Sequence, residues 1–215
     1  VGQLKITLIP NAEKRTLTVK DNGIGMNRDD LINHLGTIAK SGTADFVNNA
    51  KDNGSSMELI GQFGVGFYSA FMVAEKVEIL TRKAGEDKAW KWASNGMDGF
   101  EISEAEKVDN GTEITLFLKE DEKQYTDTIY LRQIVRLYSD HISYPIVMDL
   151  GKNGEETINT GSALWTRPKA EITQEQYKEF YHHVSKNFDE PWMTLHFKAE
   201  GNLEYTGLLF IPSTQ

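Results

Sequence analysis

The chain has 215 residues, of which 39% are hydrophobic and 26% charged, with a net charge of -9 and no cysteine. This is an ordinary composition for a protein with a soluble core. It excludes disulfides, thiolate catalysis and cysteine-ligated zinc, and its acidity argues against a protein built to coat nucleic acid. No apolar run approaches the roughly 20 residues of a membrane-spanning helix. The opening Val1-Gly2-Gln3 has neither an initiator methionine nor a basic-then-apolar leader, so a fragment with no secretory signal is expected.

Leu4, Ile6 and Leu8 alternate with polar residues, the period of a half-buried strand. Pro10-Asn11 turns the chain, and Thr16 to Val19 returns as a second strand that runs into Asp21-Asn22-Gly23-Ile24-Gly25-Met26. Asn27 and Asp30 have the spacing of a reciprocal helix cap, with Leu31, Ile32 and Leu35 on the apolar face. Gly36 to Ser56 is rich in small polar residues, a length and composition that suit a functional lid. Gly61-Gln62-Phe63-Gly64-Val65-Gly66-Phe67 then leads into the apolar run Tyr68 to Val73. Closely spaced glycines followed by a helix start can present backbone N–H groups to a phosphate, or can simply be a flexible loop entering a core helix.

Val77 to Thr81 reads as a strand, Trp90-Lys91-Trp92 as the next, and Thr112 to Leu118 as a clearly alternating one. Leu131, Ile134, Val135, Tyr138 and Ile142 recur at helical spacing, and Pro145 to Leu150 closes the first domain. The boundaries expected are a domain over 1–150, a polar linker over 151–162, and a second, incomplete domain over 163–215. In that last part Thr173 and Gln176 form a capping box. Tyr177, Phe180, Tyr181, Val184 and Phe188 share one helical face. Leu195 with Phe197, and Tyr205 to Pro212, read as two strands of a new sheet.

The chemistry concentrates in four places. Asp21 sits at a strand end beside Gly23 and Gly25, where a carboxylate can accept hydrogen bonds from an amino group on a flat ring, although Asp-Asn-Gly is also a common turn. Lys40, among small residues, can reach a phosphate as a point charge or be a solvated lysine. The glycine segment and Gly111-Thr112 supply N–H groups and a hydroxyl. No Gly-x-x-x-x-Gly-Lys-Ser/Thr occurs, and Gly61 to Gly66 lacks the dinucleotide spacing. His182-His183 are helix neighbours that point to different sides and so make a poor metal pair, and Trp165 and Trp192 read as packing residues.

Taken jointly, Asp21 to Met26, Leu35 to Thr43, Ile60 to Val73 and Gly111 to Leu116 closely resemble the heat-shock protein 90 chaperone family, nearest its bacterial branch, across essentially the whole chain. The resemblance implies an α/β two-layer sandwich with a largely antiparallel mixed sheet. This is the Bergerat-type nucleotide fold shared with gyrase, histidine kinases and mismatch-repair ATPases, followed by the start of an α/β middle domain. By that match Asp21 accepts the adenine amino group, Gly25 and Met26 line the base, and Asn33, Leu35 and Lys40 lie near ribose and phosphates. Gly64, Val65, Gly66 and Phe67 wrap the phosphates, and Thr112 holds the adenine edge.

The ligands implied are ATP or ADP with Mg2+. The family's magnesium-binding asparagine and water-activating glutamate belong to a helix expected upstream of Val1, which leaves no catalytic and no metal-binding residue within this stretch. The intact protein is then expected to be an ATP-dependent, homodimeric, cytoplasmic stress chaperone that clamps unfolded clients and binds neither nucleic acid nor membrane. The alternatives are a non-catalytic nucleotide-binding or interaction fragment of the same fold, and a gyrase- or mismatch-repair-type ATPase.

Overall fold

The computed structural model describes residues 3–36, 66–161, 163–199 and 205–213. It divides into two compact units, one of Val1–Leu131 with Ile146–Thr157, the other of Arg132–Pro145 with Ile158–Gln215.

The first unit is built on a mixed sheet of β1 (Ile6–Asn11), β2 (Thr16–Asp21), β3 (Ala74–Arg82), β4 (Ala89–Ser94), β5 (Glu101–Ala105), β6 (Gly111–Leu118), β7 (Ile146–Asp149) and β8 (Glu155–Thr157). The strand order is β5-β4-β3-β6-β2-β1-β7-β8. Every neighbouring pair is antiparallel except β1 and β7, which run parallel. Helices α1 (Arg28–Leu35) and α2 (Ala70–Val73) cover one face, giving the two-layer α/β arrangement. The predicted lid, Lys40 and most of the glycine segment lie outside the described residues.

Register explains why the two faces of the sheet differ. Ile79 of β3 stands opposite Trp92 on one side and Ile114 on the other, and Val77 stands opposite Leu116. Side chains directly opposite share a face. Val77, Ile79 and Trp92 form a buried cluster with Leu31 of α1, and Phe67, Ala70 and Phe71 pack against it. The alternate positions carry charge on the other face. Glu78 is ion-paired to Lys76 and Lys91 at 2.7 and 3.0 Å, and Glu113 to Lys20 and Lys107 at 3.0 and 3.1 Å. A buried large aliphatic side chain stabilises by about 1.5–3 kcal/mol, whereas an ion pair open to solvent on one side, such as Lys76 or Lys91 with Glu78, contributes about 0–1 kcal/mol. The apolar face therefore holds the helices in place.

The apolar run after the glycines is shorter in helix than its composition suggests. A 3-10 turn over Gly66–Ser69 leads into the single turn of α2, because Ala74 already enters β3. Two strands escape the sequence pattern. β5 and β8 are edge strands, all three residues of β8 are exposed, and β8 lies in the stretch read as a polar linker.

In the second unit the capping box predicted at Thr173 and Gln176 opens α4 (Gln174–Ser185), with Thr173 Oγ1 accepting the Gln176 N–H at 3.2 Å. β9 (Pro191–Ala199) and β10 (Tyr205–Pro212) form an antiparallel pair. Leu164, Ile172 and Tyr177 are the core, with Phe180, Leu208 and Phe210 against it. Phe188 does not extend the helical face. Lys186 adopts the left-handed conformation (φ 59°) and ends α4, leaving Phe188 exposed. Ile142 likewise lies past the end of α3 (Thr128–Tyr138). Trp165 packs between His141 and Phe180, whereas Trp192 at the start of β9 is exposed.

Polar groups in this unit close on one another. The Tyr181 hydroxyl and the Ser213 hydroxyl donate to the two carboxylate oxygens of Asp189 at 2.9 and 2.8 Å. His182 Nε2 lies 2.8 Å from the Asp189 carbonyl. His196 Nε2 lies 2.9 Å from the Trp165 carbonyl, so Nε2 carries the proton and Nδ1 accepts the Tyr177 hydroxyl at 2.7 Å.

Candidate functional site

The segment from Asp21 to Met26 leaves the end of β2 and is tied to the frame at almost every residue. Asn22 Oδ1 accepts the Lys5 N–H at 2.7 Å, and its amide donates to the Gln3 carbonyl at 2.9 Å. The Asn110 side-chain amide donates to the Gly23 carbonyl. The Ile24 carbonyl accepts the Ala84 N–H at 2.7 Å, and the Met26 N–H donates to Thr81 Oγ1 at 2.9 Å. The capping box Asn27/Asp30 then starts α1, and Lys83 pairs with Asp30 at 2.7 Å.

Two glycines are required by close approach. A Cβ on Gly25, at φ +65°, would stand 1.9 Å from the Arg82 carbonyl oxygen, and one on Gly111, at φ +112°, would stand 2.3 Å from the Asp21 carbonyl oxygen. Both positions therefore exclude any side chain, on sterics as well as on backbone conformation.

These tethers hold the carboxylate of Asp21 against the start of β6. Its Oδ1 accepts the Gly23 N–H at 2.8 Å, and the backbone N–H of Thr112 also donates to the carboxylate. Burial pushes the Asp21 carboxyl above its ordinary value, against the opposing pull of those two N–H groups and the charge of Lys107. Behind it lies a buried hydroxyl pair. Thr81 Oγ1 is 3.1 Å from both the Gly111 carbonyl and Thr112 Oγ1, and Thr81 is fully buried.

The structure thus brings Asp21, Gly25, Met26 and Thr112 together. Met26, Leu35 and Phe67 share the apolar cluster under α1, where the Phe67 ring meets Trp92 edge-on at 5.5 Å and the Tyr68 hydroxyl donates to the Leu35 carbonyl at 3.0 Å. Asn33 is exposed on α1, and Gly66 is exposed at the start of its turn. Lys40, Gly64 and Val65 lie outside the described residues. Sequence reasoning passed over Thr81, Asn110 and Asn22. Only Thr81 had a visible signal, as the polar end of an otherwise apolar alternation. Among the described residues no group of three or more His, Asp or Glu side chains could hold a metal ion.

A half-buried acceptor carboxylate on a glycine-lined strand end, in a mixed sheet with helices on one face, is the arrangement of a nucleotide-binding ATPase fold. Residues 1–123 match the family described as Histidine kinase-, DNA gyrase B-, and HSP90-like ATPase. Residues 149–215 match the family described as Hsp90 protein. The chain is 57% identical to the Chaperone protein HtpG of Paramagnetospirillum magneticum over 215 residues, covering all of this chain and 34% of that protein. It is 56% identical to the Chaperone protein HtpG of Rhodospirillum rubrum, covering all of this chain and 35% of that one, and 50% identical to that of Roseobacter denitrificans, covering 98% and 33%. The chain belongs to the Histidine kinase-, DNA gyrase B-, and HSP90-like ATPase family, and its residues 149–215 match the Hsp90 protein family. It spans about a third of the length of the curated relatives it matches.

Proposed function

We propose that the chain binds the adenine nucleotide of an ATP-dependent molecular chaperone, and that Asp21 selects the base. One observation carries this reading: a half-buried carboxylate is held against the backbone of Thr112, whose hydroxyl meets that of Thr81, at a floor where glycines let a flat ring pack against backbone. Asp21 accepts the exocyclic amino group, Thr112 supports the same edge, and Gly25 and Met26 form the floor. Asn33, Leu35 and Lys40 face ribose and phosphates. Gly64, Val65, Gly66 and Phe67 offer backbone N–H groups to the phosphates, while the Phe67 ring stays anchored on Trp92. Magnesium would take its ligands from the phosphates and from side chains other than those described, so the groups at Asp21 are assigned binding and orientation only.

The division into a nucleotide domain over 1–150, a linker over 151–162 and the start of a middle domain over 163–215 belongs to the same proposal. Closure of the segment from Gly36 to Ser56 over the nucleotide would couple to clamping of a cytoplasmic homodimer around unfolded proteins during stress. The relatives' printed name, a chaperone, supports protein clients. The net charge of -9 disfavours nucleic acid as a partner, and among the described residues no helix is long and apolar enough to cross a membrane. Calorimetric titration of the intact protein with ADP tests the site. A hydrogen bond to a charged group contributes about 1.5–3 kcal/mol, so Asp21→Asn should weaken ADP roughly ten- to a hundredfold. Equal affinity in parent and variant would remove Asp21 from the site.

A further inference from the structure

We infer that Thr81, which needs no contact with ligand, is a positioning residue that sets the hydrogen-bonding polarity of Thr112 and thereby selects a 6-amino over a 6-oxo purine. This inference rests on the nucleotide reading given above.

A hydroxyl has one proton and two lone pairs. Thr81 Oγ1 has three neighbours within hydrogen-bond distance. The Met26 N–H at 2.9 Å can only donate, and the Gly111 carbonyl at 3.1 Å can only accept. The third, Thr112 Oγ1 at 3.1 Å, can do either. Thr81 has a single proton, and the Gly111 carbonyl claims it. All three contacts are hydrogen bonds only if Thr112 gives its own proton to Thr81. Were Thr81 to donate to Thr112 instead, the Gly111 carbonyl would lose this donor inside a site that water does not reach, since Thr81 is fully buried and Thr112 nearly so.

With its proton spent inward, Thr112 can offer a ligand only lone pairs. Asp21, ionised, is also an acceptor. An edge bounded by two acceptors matches an exocyclic amine, which donates, and opposes an exocyclic carbonyl, which cannot. The same hydroxyl holds Met26 by its N–H, so one buried side chain fixes both the floor and the polarity of the base site. Val77 and Ile79 on the same face of β3 are apolar and buried, so the hydroxyl at Thr81 is the departure from an otherwise apolar row.

The experiment compares ADP and IDP by calorimetry on the intact protein and on Thr81→Val and Thr81→Ser. Valine keeps the shape and removes the hydroxyl, which frees the Thr112 proton to meet a 6-oxo group. The preference for ADP over IDP should shrink about tenfold in Thr81→Val and return in Thr81→Ser. A merely structural role would weaken both nucleotides together and leave their ratio unchanged. An unchanged ratio in Thr81→Val overturns the inference while leaving the nucleotide site standing. Failure of the parent to bind ADP overturns both. Thr81→Ala, smaller and free of any clash, gives the same readout should the valine variant misfold.

Discussion

The protein contains two polar networks that look alike in a list of contacts and differ in what they leave over. Around Asp189 in the second unit, two hydroxyls fill the carboxylate, a histidine takes the carbonyl, and the neighbouring His196 is used at both nitrogens. Around Asp21 in the first unit, the donors are mostly backbone N–H groups, and the carboxyl is pushed above its ordinary value by burial. The first arrangement is complete without a ligand. The second keeps a carboxylate in an unfavourable setting, and on the proposed reading the Thr112 hydroxyl adds a further acceptor to it. A network that closes on itself is a fastener, whereas one that retains acceptor capacity is a site.

The largest effect expected is steric. Gly25→Ala drives a Cβ into the Arg82 carbonyl at a backbone angle that alanine tolerates poorly. It should cost about 3–4 kcal/mol in urea unfolding. A loss under 1 kcal/mol would show that the Asp21 segment is not pinned, and the contrast with the second unit would blur.

Next comes Asp21, whose two effects should have opposite signs. Its carboxyl is raised in the folded state, so the stability linked to it is present below its unfolded pKa and is lost as pH rises through the raised value. Asp21→Asn should therefore hold or raise thermal stability at neutral pH while it weakens ADP. In the parent, ADP affinity should fall as pH drops through the raised pKa, because the amine needs the ionised acceptor, and the asparagine variant should lose that dependence. A variant weakened in stability and binding alike would make Asp21 a fastener too.

A smaller effect is expected at Asp189. Tyr181→Phe removes one donor from a carboxylate and should cost about 1–2 kcal/mol. Amide exchange in α4 would report it, with ADP affinity unchanged. Smallest is Glu78→Gln on the solvent face, at about 0.5 kcal/mol. Partial burial works to raise the Glu78 carboxyl, but its ion pairs with Lys76 and Lys91 outweigh this and hold it below its ordinary value. Its contribution is present above the unfolded pKa and disappears as pH falls through the lowered one. A urea series at neutral and acid pH resolves the difference.

Much of the first unit was legible because local patterns reported it. The alternations that run into Ile6–Leu8 and over Thr112 to Leu118, and the cap Asn27/Asp30, announce strands and a helix start with no help from the rest of the fold, as the cap Thr173/Gln176 does in the second unit. Asp21 stood out by its glycines. Thr81 could not stand out in the same way. Its meaning depends on lying opposite Thr112, a pairing across thirty residues that no local period encodes. β5 and β8 were hidden for a different reason: edge strands bury little, so their residues need no alternation. Phe188 misled because helical spacing continues past Ser185 while the backbone at Lys186 does not.

The parallel pairing of β1 with β7 has a consequence for synthesis. Ile6 finds its outer neighbour only at Ile146. At about 5–20 residues per second, a ribosome leaves that margin of β1 bare for on the order of ten seconds, an invitation to any other nascent strand. Pro10, expected from the sequence to open a turn, sits instead on β1 beyond the three residues that β7 later covers. Having no N–H to lend, it shortens the stretch on which a stranger could register. The chain thus carries on β1 a guard against mispairing in the interval before its own partner has been made.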